Sequence, residues 1–371
     1  MARRGFEIPF LLLLITSPVF AGEKPVRIGI LTGVSTVSVG PGSVQTAGSK
    51  GTRHWKGRKT VKAEKGKLRI GDERFPRKVR LAPIDKGKFI KVNGHPYRGA
   101  VEIVSDGKGR LTVINELELE DYVRSVVPAE MPHSWPPEAL KAQSVVARSY
   151  AVANRGRFGN DGYDLCATAA CQVYDGVQSE KPSTDKAVDA TRGEVLTFKG
   201  KPVSAVFHSC CGGQTDDAKD VWRSGNTPYL RGVRARWCRE ECPFYQWKAD
   251  ISDDDLSRRL RAAGHDVGRV ESLRITSHTG AGRAYEVRVT GSSGAATLQA
   301  NAFRLIVGAR LLRSTFWTGL SHVDGKWRFN GKGWGHGVGL CQWCAKVTAG
   351  QGYKYKEILT YFYRNTKVKA L

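Results

Sequence analysis

The alanine-rich segment at residues 134–154 is the feature that most constrains the fold. Its apolar side chains recur at helical spacing with alanines between them, which predicts a mostly apolar helix to about Asn154. Ser134 followed by Pro136 and Pro137 is typical of a helix N-terminus. Because alanine side chains are small, such a helix packs closely on a sheet or on another helix.

A single carboxylate, Glu130, stands directly before this helix. Residues 117–127 have a short helical pattern, and Pro128 and Pro132 predict that residues 129–131 leave the helix as a loop. A loop carboxylate beside Met131 is partly desolvated, which raises its pKa and suits it to general-acid catalysis. The alternative is an ordinary helix-capping or surface glutamate.

The rest of the chain alternates short strands with a few helices. From Val26 to about Val113, short apolar runs separated by Gly, Asn, Asp and Lys indicate strands. Strands are also expected at 270–275 and 285–290, and helices at 253–262, 302–307, 342–349 and 355–364. The sequence therefore predicts an α+β fold of mostly antiparallel strands with a few packed helices. The alanine-rich helix follows the loop of Glu130.

Residues 1–21 are typical of a cleaved export signal peptide. Arg3 and Arg4 precede an apolar run from Phe10 to Ala21, which ends in Val-Phe-Ala before Gly22. The run is shorter than the span of about 20 residues that crosses a membrane. We therefore expect an exported mature chain in the cell envelope, the periplasm or the extracellular space. An uncleaved signal that anchors the chain to the membrane is the alternative.

The chain is strongly basic, with a formal net charge of +24. Between Lys50 and Arg98 it carries 17 Lys or Arg against 4 Asp or Glu, so we expect residues 22–95 to form a basic, β-rich N-terminal region. In an exported chain this charge favours an anionic envelope polymer or membrane surface as partner. A solvated basic face that only maintains solubility is the alternative. Nucleic acid is not expected, because no cluster of aromatic and basic residues is identifiable.

The eight cysteines form four pairs that are local in sequence: Cys166/Cys171, Cys210/Cys211, Cys238/Cys242 and Cys341/Cys344. An even number in an exported chain favours disulfides for all eight. The adjacent Cys210 and Cys211 are expected to bond elsewhere, since a bond between neighbours is strained. The alternative is a four-thiolate zinc site made by Cys238, Cys242, Cys341 and Cys344.

Two histidine segments are further candidates. His336 lies in the glycine-rich segment Gly331–Gly339, where the backbone can approach a ligand closely; a structural turn is the alternative. His208 lies in FHSCCGGQT, beside Ser209 and Cys210. A strand points neighbouring side chains in opposite directions, so a His208–Ser209 dyad is not expected.

Taken together, a series of motifs resembles the stage II sporulation protein D family, which includes the LytB amidase enhancer. The matching segments occur in order from residue 97 to residue 345: YRGAVEIV, VINELELEDYVRSVVPAEMP, PPEALKAQSVVARSYA, CQVYDG, FHSCCGGQTDDAKDVW, PYL, FRLIVGARLLRSTFW and GWGHGVGLCQWCA. We accordingly expect residues 96–371 to form the domain of this family.

The resemblance implies a peptidoglycan lytic transglycosylase that cleaves glycan strands free of stem peptides. Glu130 matches the catalytic acid of the family. It would protonate the glycosidic oxygen and then accept the 6-hydroxyl proton as a 1,6-anhydro ring closes. One carboxylate suffices for this reaction, unlike the paired acids of ordinary glycosidases. By motif, the substrate-binding candidates are His336, Gln342, Arg148, Tyr174 and His208.

A second function is open within the same family. A non-catalytic member binds wall glycan and enhances an N-acetylmuramoyl-L-alanine amidase, which makes a cell-wall amidase a possible partner beside the glycan itself.

The sequence also departs from the family. Some members bind zinc through His and Cys in the segment that matches Asn160–Cys171. Cys166 and Cys171 match, but Asn160 and Ala170 stand where His is expected. Cys166 and Cys171 are therefore weak candidates for metal ligands. No cofactor is expected, and a bound zinc ion is the alternative. Cys344 occupies a position where the family has Gly, which implies an additional crosslink.

Overall fold

The structure is a computed structural model that describes residues 24–45, 53–85, 87–222 and 227–371. The predicted signal peptide lies outside the described residues. Eight α-helices occur in the described ranges: α1 (Leu119–Glu130), α2 (Pro137–Ala153), α3 (Pro182–Ala190), α4 (Ala218–Trp222), α5 (Asp253–Ala262), α6 (Ala300–Val307), α7 (Gln342–Gly350) and α8 (Tyr355–Phe362).

Two β-sheets dominate the first half of the chain. A seven-stranded sheet has the spatial order Leu165–Cys166, Val26–Val34, Leu111–Leu117, Ala100–Ser105, Lys78–Ala82, Gly42–Gln45 and Arg53–Trp55. A six-stranded sheet has the order His95–Tyr97, Ile90–Val92, Thr36–Val39, Lys59–Glu64, Lys67–Ile70 and Glu73–Phe75. Alternating Val, Ile and Leu side chains of both sheets share one buried core.

The seven-stranded sheet crosses the predicted region boundary between residues 95 and 96. Val26–Val34 pairs with Leu111–Leu117, and Lys78–Ala82 pairs with Ala100–Ser105. Many of the basic side chains in this region lie at the surface and pair with acids, as Arg80 does with Glu116. Strand pairing therefore joins the basic N-terminal region to the residues that follow it.

Helix α2 lies at the centre of the second core. Twelve of its side chains are buried, and α1, α3, α7 and α8 pack around it. Its alanines allow this close approach from several sides. The helix begins at Pro137, with Pro136 as the N-cap, so the predicted start near Ser134 was three residues too early. Proline at the first helical position removes one unpaired N–H of the first turn, and the Pro136 carbonyl accepts the Ala139 N–H at 2.9 Å.

Short strands attach to this helical core. Glu194–Phe198 pairs with Lys201–Pro202 and with Lys367–Ala370. Phe207–His208 pairs in parallel with Leu340–Cys341, and Gly213–Gln214 pairs with Arg234–Ala235.

Residues 246–332 form a separate apolar core. Two three-stranded antiparallel sheets, together with α5 and α6, enclose it. The strands are Gln246–Ser252, Lys326–Lys332, Trp317–Val323, Val270–His278, Ala284–Gly291 and Gly294–Gln299. Ser252 caps α5 by accepting the Asp255 N–H at 3.2 Å, which confirms the predicted helix at this position.

The predicted α+β class is confirmed, and nearly all strand pairs are antiparallel. Parallel pairing occurs between Val26–Val34 and Leu165–Cys166, and between Phe207–His208 and Leu340–Cys341. None of the helices in the described part of the chain has both the length and the apolar character that a membrane span requires.

Candidate active site

A cleft of about 1160 Å³ collects residues from distant parts of the sequence. The lining residues come from the end of α1 and from residues 169–173, 204–209 and 334–336, among others. Four of the predicted catalytic and substrate-binding residues line it: Glu130, His208, His336 and Gln342.

Glu130 is the last residue of α1, not part of a loop as the prolines predicted. Pro128 lies inside the helix and removes only one backbone hydrogen bond near its end. Tyr122, Val126 and Val127 bury the apolar face of the helix, and the Met131 N–H donates to the Val127 carbonyl at 2.9 Å. Burial and this hydrogen bond hold the last turn together, so Glu130 is placed on a rigid element.

The environment of Glu130 favours its protonated form. The pKa of Glu130 is raised, mainly because burial desolvates the carboxylate, and the negative charge of Asp175 adds to the effect. The Val173 N–H donates to Oε1 at 2.7 Å and opposes the shift. Among the described residues no group donates to Oε2. One oxygen is thus held by the backbone, while the other is available to a ligand.

The raised pKa makes a prediction about stability. A carboxyl whose pKa is higher in the folded state than in the unfolded state destabilises the fold once it ionises. Glu130→Gln should therefore increase the free energy of unfolding above the folded-state pKa, by about 1.4 kcal/mol for each unit of elevation. The gain should disappear below the unfolded-state pKa. Urea unfolding of the wild type and of the variant across an acid-to-neutral pH series measures this gain. A difference in the free energy of unfolding that does not depend on pH would contradict the prediction.

Gln342, which also lines the cleft, fixes the end of α1. Its Nε2 donates to the Glu130 carbonyl at 3.0 Å and lies 3.4 Å from Oε1 of Gln143. Gln342 is also the first residue of α7. The predicted site residue therefore acts on the backbone that carries Glu130.

His336 is half-buried, and the backbone holds it at both ring nitrogens. Nε2 lies 2.8 Å from the Phe207 carbonyl, and the Val338 N–H donates to Nδ1 at 3.2 Å. Burial lowers the pKa of His336 to about 4. The ring is therefore neutral near pH 7, with the hydrogen on Nε2. It forms a wall of the cleft and packs against Trp222 at a ring distance of 5.0 Å.

His208 lines the cleft and carries a buried ring nitrogen without a hydrogen-bond partner in the described part of the chain. Nδ1 lies 3.0 Å from the Val338 carbonyl, while Nε2 has no hydrogen-bond partner among the described residues. Burial lowers the pKa of His208 well below its usual value, so the ring is neutral. Since a carbonyl only accepts, Nδ1 carries the hydrogen and Nε2 carries a lone pair. A buried acceptor without a partner is what a hydroxyl-bearing ligand would satisfy.

Gly335 permits the close approach of the two histidine segments. Its φ is +107°, and a Cβ at this position would lie 2.7 Å from the Cβ of His208. Any side chain here would push the glycine-rich segment away from residues 207–208. This gives a physical reason for glycine in the His336 motif.

The structure does not bring Arg148 or Tyr174 to the cleft. Arg148 is fully buried on α2, where Nε and Nη2 each donate to Glu120 at 2.8 Å and Nη1 donates to the Glu194 carbonyl at 2.9 Å. The hydroxyl of Tyr174 donates to Asn115 at 2.5 Å, and its ring packs on Tyr122. Both side chains are held by partners inside the fold, and neither lines the cleft.

Cys166 and Cys171 lie at the edge of the cleft, where Cys171 is one of the lining residues. The Cys166 N–H donates to Sγ of Cys171 at 3.1 Å, and burial raises the pKa of the Cys171 thiol to about 12. Within the described residues no third His, Cys, Asp or Glu completes a metal site with them. These two residues alone do not fit the zinc site of some family members. All eight cysteines are free thiols in the structure, so the disulfides remain predictions.

The cleft also contains residues that sequence reasoning missed. Trp222 is 37% exposed, and Tyr150, Asn154, Arg157, Arg304 and Arg310 also line the cavity. Nη1 of Arg157 donates to the Tyr150 hydroxyl at 2.8 Å. Tyr150, Asn154 and Arg157 follow one another at intervals of three to four residues from the end of α2. That spacing was a usable signal, because it places them on one side of the chain.

Comparison with known proteins identifies the relatives of this chain. Stage II sporulation protein D of Bacillus amyloliquefaciens is 31% identical over 333 aligned residues, covering 78% of this chain and 90% of the relative. The chain belongs to the stage II sporulation protein D family. Residues 107–198, which include Glu130 and α2, match the sequence model described as stage II sporulation protein. Residues 237–339 match a domain of unknown function.

Two further relatives extend the family comparison. An uncharacterized protein of Brachyspira hyodysenteriae is 34% identical, covering 75% of this chain and 73% of the relative. The amidase enhancer of Bacillus subtilis is 28% identical, covering 76% of this chain and 47% of the relative. The family predicted from the motifs is confirmed.

Proposed function

We propose that the protein acts on the cell wall as an exported peptidoglycan lytic transglycosylase, with Glu130 as its general acid and base. The observation that carries the proposal is a desolvated carboxylate, fixed at the end of a helix, with one free oxygen facing a large cleft. Family membership supports a role at the cell wall, since relatives are named for sporulation and for amidase enhancement.

The proposed reaction uses one carboxyl group twice. Protonated Glu130 donates its proton to the glycosidic oxygen, and the bond from that oxygen to C1 of the muramic acid breaks. The 6-hydroxyl of the same sugar then attacks C1, and its proton returns to the Glu130 carboxylate. The raised pKa supplies the acid form for the first step, and no water molecule is consumed.

Other cleft residues suit a sugar polymer. Trp222 presents an exposed aromatic face, on which the apolar side of a sugar ring can pack. His208 Nε2 provides an acceptor for a sugar hydroxyl. A muramic acid without its stem peptide carries a free lactyl carboxylate, and the exposed Arg157 and Arg310 at the cleft supply cations for it. This charge favours peptide-free glycan over intact strands.

The deciding experiment offers the purified protein two glycan substrates, with and without stem peptides, in water enriched in oxygen-18. We expect release from the peptide-free strands of products with 1,6-anhydro-muramic ends, identified by a mass lower by one water, and no heavy oxygen in them. Incorporation of heavy oxygen would show hydrolysis instead and overturn the proposed mechanism.

Enhancement of an N-acetylmuramoyl-L-alanine amidase is the second candidate function. The similarity to a protein named amidase enhancer favours it. The two functions separate when the protein alone, an amidase alone and the mixture are compared on intact wall. If the protein alone releases nothing from either glycan while the mixture outpaces the amidase, the transglycosylase proposal is wrong and enhancement stands.

A further inference from the structure

Four buried cysteines converge on one point behind the cleft wall. The Sγ atoms of Cys211, Cys238, Cys341 and Cys344 all lie within 4.8 Å of one another. Sγ of Cys211 is 3.6 Å from that of Cys238 and 3.8 Å from that of Cys344. A tetrahedral zinc site with Zn–S bonds of about 2.3 Å has sulfur–sulfur edges of about 3.8 Å. The thiols thus already stand at the spacing of such a site.

The same geometry does not select a disulfide. A disulfide joins two sulfurs at about 2.05 Å and requires one partner for each. Sγ of Cys238 is nearly equidistant from two sulfurs, at 3.7 Å from Cys210 and 3.6 Å from Cys211. A cation that takes four sulfurs at once matches the mutual proximity of Cys211, Cys238, Cys341 and Cys344, whereas disulfides would need these sulfurs to separate into bonded pairs.

Backbone amides are directed at the sulfurs, as they are in thiolate metal sites. Sγ of Cys341 accepts the N–H groups of Cys344 at 3.4 Å and Cys211 at 3.3 Å. Sγ of Cys211 accepts the Gly213 N–H at 3.3 Å. Such donors stabilise the negative charge of a metal-bound thiolate and orient it. As neutral thiols, Cys211 and Cys344 instead donate to the Ala235 carbonyl, at 3.2 and 3.5 Å.

We propose that Cys211, Cys238, Cys341 and Cys344 bind one Zn²⁺ through four thiolates. Four protein ligands leave no open position, so the site is structural rather than catalytic. This ligand set differs from the zinc site that the cysteine spacing in the sequence offered as an alternative, because Cys211 takes the place of Cys242. The Cys210 thiol lies beside this group, at 3.7 Å from Sγ of Cys238, but neither Cys210 nor Cys242 belongs to the set of four converging sulfurs. The site is also separate from Cys166 and Cys171, and it does not rest on the proposed function.

The proposed metal would fix one wall of the cleft. Cys341 directly precedes Gln342, whose amide holds the Glu130 carbonyl. Cys211 follows the strand that carries His208, and this strand pairs with Leu340–Cys341. Cys238 comes from a third segment, Trp237–Arg239. Zinc would therefore join three distant segments beside the site, where the described residues supply no other covalent link.

The test begins with wild-type protein of the full mature chain, purified without chelator or reductant. Mass spectrometry under native conditions and elemental analysis should find one Zn²⁺ per chain. Replacement by Co²⁺ should give the intense charge-transfer bands of thiolate ligands and the visible bands of tetrahedral cobalt. Absence of metal together with a disulfide between any two of the four cysteines, found by peptide mapping, would overturn the proposal.

Variants test the ligand set. Cys211→Ser and Cys344→Ser should each lower the zinc content at least tenfold under a competing chelator, because one thiolate is lost. The matched control is Cys166→Ser with Cys171→Ser, which removes two thiols outside the cluster and should leave the zinc content unchanged. If a ligand variant fails to fold, the cobalt spectrum of the wild type still decides. Loss of metal in the control alone would assign the zinc to Cys166 and Cys171 and refute this site.

Discussion

Glu130→Gln is expected to abolish glycan cleavage while leaving the fold intact. Glutamine keeps the size of the side chain and can still accept the Val173 N–H, but it cannot donate a proton and take one back. General acid–base groups contribute about 10²–10⁴-fold to rate, so the initial rate of anhydro-product release should fall by about that factor. Chromatography with mass detection of the released sugars measures it.

The matched control for this variant lies on the same helix. Glu118 is the exposed N-cap residue of α1, at the opposite end from Glu130, and its side chain makes no capping hydrogen bond. Glu118→Gln removes the same charge and should retain the wild-type rate. Full activity in Glu130→Gln would exclude Glu130 as the acid. An equal loss of cleavage activity in both variants would attribute the effect to the net charge of α1 instead of to Glu130.

Arg148→Ala is expected to destabilise the protein strongly. The substitution leaves the mostly buried Glu120 without its counter-ion, with only the Gly193 N–H donating to it, and it removes the guanidinium donor from the Glu194 carbonyl. Breaking a buried pair by removing one partner costs about 3–5 kcal/mol. Urea unfolding should show this loss in the free energy of unfolding. The Michaelis constant for glycan of the remaining folded protein should be unchanged, because Arg148 does not line the cleft.

Two comparisons make the Arg148 result decisive. Arg192→Ala removes an ion pair with Asp189 in which the arginine is 53% exposed, and it should cost at most about 1 kcal/mol. Arg148→Met combined with Glu120→Gln removes both charges and should recover part of the stability. A stable Arg148→Ala protein with a raised Michaelis constant would restore the substrate-binding role that the motif implied.

The sequence was sufficient for the fold class and the family, and the candidate acid that it singled out, Glu130, lines the cleft. Helix α2 and helix α5 were predictable because their apolar side chains recur at helical spacing, and a sequence shows such spacing directly. The end of α1 was missed because packing of Tyr122 and Val126 outweighs the local preference of Pro128. Tertiary burial decides such cases, and it is not visible in a window of neighbouring residues.

The roles of the supporting residues required the structure. A motif match marks Arg148 and Tyr174 as family residues but does not tell which way a side chain points from a helix or a loop. Similarly, the pairing of cysteines by sequence distance placed Cys242 with Cys238, whereas the fold brings Cys211 to Cys238 from 27 residues away. Contacts between distant segments are set by the packing of the whole chain.

The hydrogen bond from Gln342 to the Glu130 carbonyl determines how late in chain synthesis the cleft can form. The two residues are 212 positions apart, and chains fold from the N-terminus as they leave the ribosome. A nascent chain that has emerged as far as α2 already contains Glu130. It still lacks Gln342, whose amide fixes the end of α1, and His336, which lines the cleft. The complete cleft therefore forms only after residue 342 has been added.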